Sequence, residues 1–227
     1  MTYQLEDYLF DLVRTLLKVN SLPGKLISFD TLDGGGNSTQ VSLLTEHLRS
    51  RGVDVLETKE PTEEHIGRRI RAILRREERL SDLPLQLLFS ADRGDHLGKL
   101  ILPALKNGKW VVSARYALTT VAWGSGQKVP SWVLLAANAY YPWPNLNIVL
   151  MLSIEECLRR IFARAKRATD KLELFETRAY MEANEASLKQ MAKKLPNVVL
   201  VDGMGTEEEV SARVWNLVEE RLLPLAL

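Results

Sequence analysis

The chain has 227 residues, and its 46% hydrophobic content is ample for the core of one domain. Thirty basic and 29 acidic residues leave a net charge of +1, so we expect neither nucleic acid nor a membrane surface as a partner. A single cysteine, Cys157, excludes an internal disulfide and a cysteine-based zinc site, and no apolar run approaches the roughly 18 residues of a membrane span. We therefore expect a soluble, cytoplasmic protein.

The N-terminal segment has apolar residues at helical spacing. Residues 1–20 predict an amphipathic helix that ends before Ser21. Because this helix precedes the first predicted strand, residues 1–24 are expected to form a helical appendage to a domain of residues 25–227. The apolar stripe could pack on that domain or on a partner, and the spacing does not decide between them.

A glycine-rich loop follows the first predicted strand. Residues 26–40 read LISFDTLDGGGNSTQ, an apolar run that enters three glycines before a helical pattern opens. This order is typical of the phosphate-binding loop GxxxxGK[ST], in which backbone N–H groups surround a phosphate and a lysine reaches its outer oxygens. Thr31 stands at the first glycine position and Asn37 at the lysine. Taken alone, the glycines are equally consistent with a flexible turn.

The rest of the chain alternates apolar strands with helical patterns. Further strands are predicted at residues 53–58, 110–113, 146–152 and 198–201. A helix is also predicted from about residue 172, and a closing helix at residues 207–222. Such alternation favours an α/β fold with a parallel sheet covered on both faces, whose ligand sites lie beyond the carboxyl ends of the strands. We therefore expect three segments to share one crevice: Asp33 to Asn37, Lys59 to Pro61 and Ala114 to Tyr116.

Four segments, in chain order, resemble the thymidylate kinase family. FDTLDGGGNSTQ at 29–40 is similar to FEGLDGSGKSTQ, TKEP at 58–61 to TREP, LLFSADRGDH at 87–96 to LLFAADRAQH, and SARY at 113–116 to SDRY. The resemblance covers residues 25–222. It implies a three-layer P-loop kinase fold, with a five-stranded parallel sheet flanked by helices, a lid at about residues 164–173, and a homodimer.

The resemblance also implies a set of site residues and two cofactors, ATP and Mg²⁺. The phosphates of ATP would lie on Gly34, Gly35, Gly36, Asn37, Ser38 and Thr39, and Ser38 would be a ligand of Mg²⁺. The nucleotide dTMP would meet Asp33 at the sugar 3′-hydroxyl, Phe89 and Arg93 at the base, Lys59 and Arg115 at the phosphate, and Trp123 at the 2′ face of the sugar. Gly34 fits the subgroup that lacks an arginine in this loop, so the catalytic charge would come from Arg115, Arg164 and Arg167.

Three substitutions fall on positions that carry chemistry in this family. Thr31 replaces a glycine, Asn37 replaces the loop lysine and Ala114 replaces the aspartate of DRY. Losing a preorganised donor such as the lysine typically costs about 10²–10³ in rate. Two functions therefore stay open. One is ATP-dependent phosphorylation of dTMP to dTDP, at a full or a reduced rate. The other is that of a catalytically degenerate nucleotide-binding paralogue with a regulatory or scaffolding role. A related kinase for another nucleotide or nucleoside is a third reading.

Several of these residues have plainer explanations when they are considered singly. Phe89 on an apolar helix is more often a core residue than a platform for a base. Arg93 alone could be a solvated helix charge, and the basic run at residues 159–167 is ordinarily a solvated face. These explanations stay open at this stage.

Overall fold

The computed structural model describes residues 2–164 and 173–223. The predicted lid, at about residues 164–173, lies almost wholly outside these ranges. Arg167 and the side chain of Arg164 are outside them as well, so the catalytic roles predicted for these two arginines stay predictions.

A five-stranded parallel sheet forms the centre of the molecule. Its strands are β1 (Leu26–Asp30), β2 (Val55–Lys59), β3 (Trp110–Ala114), β4 (Leu146–Met151) and β5 (Val198–Asp202), in the order β2-β3-β1-β4-β5. Strand β1 is buried along its whole length, as expected of a central strand covered on both faces. The predicted fold class is confirmed. In this strand order the connections diverge between β1 and β3, so the loops after these two strands meet at one edge.

Ten α-helices accompany the sheet within the described residues. They are α1 (Thr2–Arg14), α2 (Asn37–Ser50), α3 (His65–Leu74), α4 (Asp82–His96), α5 (Leu102–Lys106), α6 (Ala117–Gly126), α7 (Ser131–Asn138), α8 (Ile154–Arg164), α9 (Arg178–Lys194) and α10 (Glu207–Leu222). A π-helical turn at Leu97–Ile101 joins α4 to α5. Helices α2 and α10 pack on each other and on the strands, whereas α6 packs on α4, α7 and α9.

Helix α1 is docked on the rest of the molecule. Phe10 and Val13 are buried, and the helix packs on α7. The Nζ atom of Lys194 lies 2.8 Å from the carboxylate of Asp7. The helix ends at Arg14 rather than near residue 20, because the backbone N–H groups that follow it bond to carbonyls three residues back. Its opposite face leaves Leu5, Tyr8 and Leu12 exposed.

Two apolar clusters hold the elements together. The larger cluster lies between the sheet and its flanking helices. The smaller contains Ile70, Ile73, Leu85 and Phe175, and Phe89 packs against its edge. The smaller cluster therefore ties α3 and α4 to the segment just before α9. Within the described ranges, no helix combines the length and the apolarity needed to cross a bilayer.

Candidate active site

The glycine-rich loop connects β1 to the start of α2. Gly34 and Gly36 have φ angles of +80° and +89°, in the left-handed region that favours glycine. A Cβ atom on Gly34 would lie 2.6 Å from the carbonyl oxygen of Cys157, so the loop runs close to the first turns of α8. A tight loop that leads into a helix N-terminus presents backbone N–H groups to an anion, so this geometry suits phosphate.

Thr31 fits into this loop without strain at its own backbone. It has no positive φ angle, so glycine's conformational freedom is not required at this position. Its hydroxyl donates a hydrogen bond to the carbonyl oxygen of Leu150 at 2.8 Å. The side chain occupies the space in which a Cβ atom on Gly35 would lie. The side chain of Thr31 therefore fits in the loop because residue 35 has no side chain.

Asn37, the first residue of α2, is turned into the protein. Its side-chain amide donates to the carbonyl oxygen of Phe29 at 3.1 Å, and the residue is only 9% exposed. Its Oδ1 atom is buried and accepts no hydrogen bond from the described part of the chain. The residue at the lysine position therefore brings no charge to the loop.

Arg115 and Asp33 form an ion pair across the carboxyl ends of β3 and β1. Arg115 has a φ angle of +71°, and its backbone N–H donates to the carbonyl oxygen of Phe29 at 2.8 Å. Its guanidinium carbon lies 4.0 Å from the ring centroid of Trp123. The structure thus brings together three predicted site residues that are far apart in the sequence. An unfavourable φ angle held by surrounding contacts is typical of functional positions.

Trp123 forms one wall beside this ion pair. Its ring is stacked on Phe175, with a centroid separation of 5.8 Å and an interplanar angle of 6°. The indole Nε1 is buried, and no described residue forms a hydrogen bond with it. Sequence reasoning missed Phe175, because it carries no motif and lies in the irregular segment before α9.

Arg93 is buried on α4, one turn beyond Phe89. The residue is 1% exposed, so it is not a solvated helix charge. Its NH2 group lies 2.7 Å from the carboxylate of Glu60 and donates to Thr120, while NH1 donates to Asn138. Its Nε atom is buried and has no hydrogen-bond partner among the residues that the structure describes. Sequence reasoning assigned no role to Glu60, Thr120 or Asn138, although Glu60 stands within the quoted TKEP segment.

His96 links the carboxylate of Glu60 to the hydroxyl of Thr58. The ring of His96 lies between the Glu60 carboxylate, 3.2 Å from Nδ1, and the hydroxyl of Thr58, 2.8 Å from Nε2. Asp92 accepts hydrogen bonds from the backbone and hydroxyl of Thr62, at 2.7 and 2.6 Å. These contacts fasten α4 to the segment after β2, so the position of Arg93 is set by two elements.

Two cavities meet at the end of the sheet. A cavity of about 340 Å³ is lined by the glycine loop, Lys59, Glu60, Arg115 and Arg160. A cavity of about 720 Å³ lies toward β2 and is lined by Glu57, His96 and Lys99 among others. Ser38, Lys59 and Ala114 border both. Within the described residues, no three His, Cys, Asp or Glu side chains cluster as a metal site.

Asp30 and Arg160 are further charged residues at this site that sequence reasoning did not single out. Asp30 ends β1, is 1% exposed, and accepts a hydrogen bond from Thr119. Burial raises the pKa of its carboxyl to about 6, against the smaller opposing effects of Thr119, Arg115 and Arg93. Arg160, on α8, borders the glycine loop from the other side. It was part of the predicted basic run, but no signal in the sequence distinguished it from its neighbours.

Comparison with known proteins gives a consistent family. Residues 29–214 match the family model described as thymidylate kinase. A "Probable thymidylate kinase" of Pyrococcus abyssi is 37% identical over 210 residues, which is 89% of this chain and 99% of the relative. The "Thymidylate kinase" of Desulfotalea psychrophila is 37% identical over 154 residues, which is 68% of this chain and 76% of the relative. A solved structure of thymidylate kinase from Candida albicans superimposes with a TM-score of 0.71 at 25% identity, covering 88% of this chain and 93% of that one.

Proposed function

The chain belongs to the thymidylate kinase family, and we propose that it transfers the γ-phosphoryl group of ATP to dTMP, giving dTDP and ADP. An oxygen of the dTMP phosphate forms a bond to the γ-phosphorus. The bond from that phosphorus to the β–γ bridging oxygen breaks, and its electron pair leaves with ADP. One observation carries the proposal: the glycine loop after β1, which includes Asp33, shares one crevice with Arg115, which follows β3 and pairs with Asp33.

The glycine loop is proposed to hold the phosphates of ATP. Its residues Gly34 to Thr39 end in the first turn of α2, where the helix dipole and the backbone N–H groups favour negative charge. The hydroxyl of Ser38, which borders both cavities, is a hard oxygen donor of the kind Mg²⁺ prefers. Mg²⁺ would be held by this hydroxyl together with phosphate and water oxygens, and when bound it would neutralise phosphate charge.

The opposite wall of the crevice is proposed to hold dTMP. The buried, unpartnered Nε of Arg93 would be satisfied by a carbonyl oxygen on the edge of the pyrimidine, and Phe89 would stack on its face. Arg115 and Lys59 would hold the phosphate, since both line the smaller cavity. Asp33 would accept from the sugar 3′-hydroxyl, and Trp123 would lie against the 2′ face. Arg115, Arg164 and Arg167 would stabilise charge during transfer.

The decisive experiment is transfer of labelled γ-phosphate from Mg-ATP to dTMP at high enzyme concentration. Reactions with dUMP, with dCMP and without acceptor run alongside. We expect labelled dTDP that depends on dTMP. Turnover with another acceptor alone would reassign the substrate, and no turnover with any acceptor would contradict the proposed activity.

The alternative, a degenerate nucleotide-binding paralogue, gains no support from the relatives reported above, whose names are those of kinases. The three substitutions nevertheless predict a rate below that of an intact loop. Thr31 is absorbed by Gly35, as described, but Asn37 and Ala114 each remove a charged group. We therefore expect slow turnover rather than none.

The proposal extends to the location, the oligomeric state and the domain organisation of the protein. We propose that the protein acts in the cytoplasm, where its nucleotide substrates are found, and that it is a homodimer. We also propose that residues 1–24 are an appendage to a kinase domain of residues 25–227, which would include a lid at about 164–173. Light scattering coupled to size-exclusion chromatography gives the oligomeric state, and a mass of about 26 kDa would contradict the dimer.

A further inference from the structure

The glycine loop needs a positive charge that its own residues do not supply. In the loop sequence that this family shares, a lysine reaches the outer phosphate oxygens. Here the position belongs to Asn37, whose amide is committed to the backbone carbonyl of Phe29. A cation for the same phosphates must therefore come from another element, if the loop is to stabilise charge during transfer.

Among the described residues, three cations line the cavity of about 340 Å³: Lys59, Arg115 and Arg160. Arg115 is paired with Asp33 and lies over Trp123, on the side of the crevice proposed for the acceptor. Lys59 extends from the end of β2 and lies 2.9 Å from Glu63. Arg160 alone among the three borders Gly36, since its NH1 atom lies 3.5 Å from the place of a Cβ atom on that glycine.

The side chain of Arg160 is held in place at one end. Its Nε atom donates to Oε1 of Glu156, one turn earlier on α8, at 2.7 Å. Hydrogen bonds from Arg159 and Arg160 lower the pKa of Glu156 to about 2, so this anchor is ionised at neutral pH. Within the described residues, the NH1 and NH2 groups of Arg160 have no hydrogen-bond acceptor. Among the described residues, the half of the guanidinium that faces the loop is therefore not committed to any acceptor.

Arg160 also borders a second, smaller cavity of about 50 Å³. This cavity shares Gly36 and Thr39 with the larger one and continues to Gly205 and Thr206, before α10. The guanidinium thus lies where the space over the loop continues toward the N-terminus of α10. A nucleotide whose phosphates lie on the loop would extend past this point.

We propose that Arg160 supplies the phosphate-binding charge that the loop lacks, with its free guanidinium edge bound to oxygens of the ATP phosphates that the family lysine would otherwise contact. In this proposal the phosphate-binding cation lies on α8, whereas the family lysine lies in the loop. A guanidinium presents paired donors in one plane and so suits a phosphate better than the neutral amide of Asn37 does. This inference rests on the proposed function for the identity of the nucleotide.

The test compares Arg160→Met with a matched control on the same helix. Methionine keeps an unbranched stem and removes the charge. Arg159→Met is the control because Arg159 also pairs with Glu156, at 2.7 Å, but its side chain is 67% exposed and borders neither cavity. Each variant removes one partner from Glu156, so a difference between them reports the position of the lost charge. Circular dichroism and melting temperature establish that both are folded.

The first measurement is binding, which needs no turnover. Inorganic tripolyphosphate, dTMP and a non-hydrolysable ATP analogue with Mg²⁺ are titrated in a calorimeter. We expect Arg160→Met to weaken tripolyphosphate and the ATP analogue by about tenfold or more while dTMP affinity stays within twofold. Arg159→Met is expected to bind all three as the unchanged protein does. Equal tripolyphosphate affinity in the two variants would overturn the inference.

The second measurement is turnover and its rescue. Removing one preorganised donor typically costs about 10²–10³ in kcat, and we expect this loss for Arg160→Met with KM for dTMP nearly unchanged. Asn37→Lys should recover much of the loss in the Arg160→Met protein but give little gain alone, because both cations would serve the same phosphates. Independent, additive effects would contradict a shared role. If the unchanged protein does not phosphorylate dTMP, the proposed function fails, while the tripolyphosphate comparison still decides the inference.

Discussion

Asp30 is a carboxylic acid buried at the end of the central strand, and its ionisation opposes folding. Its pKa rises from 3.8 to about 6 because burial disfavours the charged form. The folded protein therefore holds this proton more tightly than the unfolded chain. Its contribution to the free energy of unfolding is greatest below pH 4, falls as pH rises to about 6, and is lost above that.

The variant Asp30→Asn is predicted to remove this pH dependence. The asparagine Oδ1 can still accept the hydrogen bond from Thr119, so little else changes. A shift of about two pH units corresponds to about 3 kcal/mol, which is the upper limit of the stabilisation expected at pH 7.5. Urea unfolding from pH 4 to 8 measures the difference between variant and unchanged protein. A difference that is constant over this range, or is also given by the exposed control Asp54→Asn, would contradict the prediction.

Glu60 pairs with the buried guanidinium of Arg93, and the variant Glu60→Gln removes the carboxylate of that pair. Breaking one side of a buried ion pair typically costs about 3–5 kcal/mol. We expect a loss of stability of that order. We also expect the affinity for dTMP to fall more than the affinity for ATP, since Arg93 lies on the side of the crevice proposed for the acceptor. Denaturant unfolding and calorimetric titration measure the two effects.

The matched control for Glu60→Gln is Glu63→Gln, three residues later. Glu63 pairs with Lys59 and Arg71 at the surface, and exposed pairs contribute only about 0–1 kcal/mol. Equal destabilisation by the two variants would show that the buried Glu60–Arg93 pair contributes no more to the free energy of unfolding than a surface pair does.

At the scale of single elements, α1 is held to the molecule by buried apolar side chains, of which Phe10 is the largest. Phe10 is 1% exposed on a helix that packs on α7, whereas Tyr8 on the same helix is largely exposed. Phe10→Ala is predicted to cost about 3–5 kcal/mol in unfolding free energy, and Tyr8→Ala well under 1 kcal/mol. Thermal unfolding gives both values.

The Phe10 variants also test the proposed appendage. Because α1 lies outside the crevice, turnover per folded molecule should be unchanged in Phe10→Ala at a temperature at which it remains folded. A fall in kcat without loss of stability would instead assign residues 1–24 a part in the reaction.

The sequence predicted most elements well where local signals agree. Helix α10 begins as expected at Glu207, because Thr206 caps it and Glu209 completes a capping box. Helix α6 was not predicted, since its threonines, valine and glycines are weak helix formers and nearly every residue is buried. Helix α9 begins at Arg178, later than the expected position near residue 172. In α6, packing against α4, α7 and α9 outweighs local preference.

At the scale of the whole molecule, the alternation of strands and helices was sufficient to predict the fold and one edge of the site. It placed the loops after β1 and β3 in a shared crevice, and the Arg115–Asp33 pair lies there. It could not identify Phe175, Thr120 or Asn138, which reach the site from segments without motifs. Their placement depends on how α6, α7 and the segment before α9 pack, and no spacing within one element encodes that.

The balance of charge shows the same division between local and global properties. The chain carries a net charge of only +1, and among the described residues the small cavity at the end of the sheet is lined by three cations, Lys59, Arg115 and Arg160, and by two carboxylates, Asp33 and Glu60. A phosphate beside the cations would therefore be held by neighbouring charges and not by the net charge of the molecule. The fold, rather than the composition, creates this arrangement of charge.

The fit between Thr31 and Gly35 constrains the order in which this loop could have diverged. In the related loop FEGLDGSGKSTQ, the position of Thr31 is glycine and that of Gly35 is serine, so the two differences are reciprocal. A Cβ atom on residue 35 would overlap the Thr31 side chain. An ancestor that acquired threonine first would have carried a steric clash, whereas loss of the serine first opens the space. Threonine at residue 31 thus fits only after residue 35 has become glycine. A return to the related loop requires residue 31 to change back to glycine before residue 35 regains a side chain.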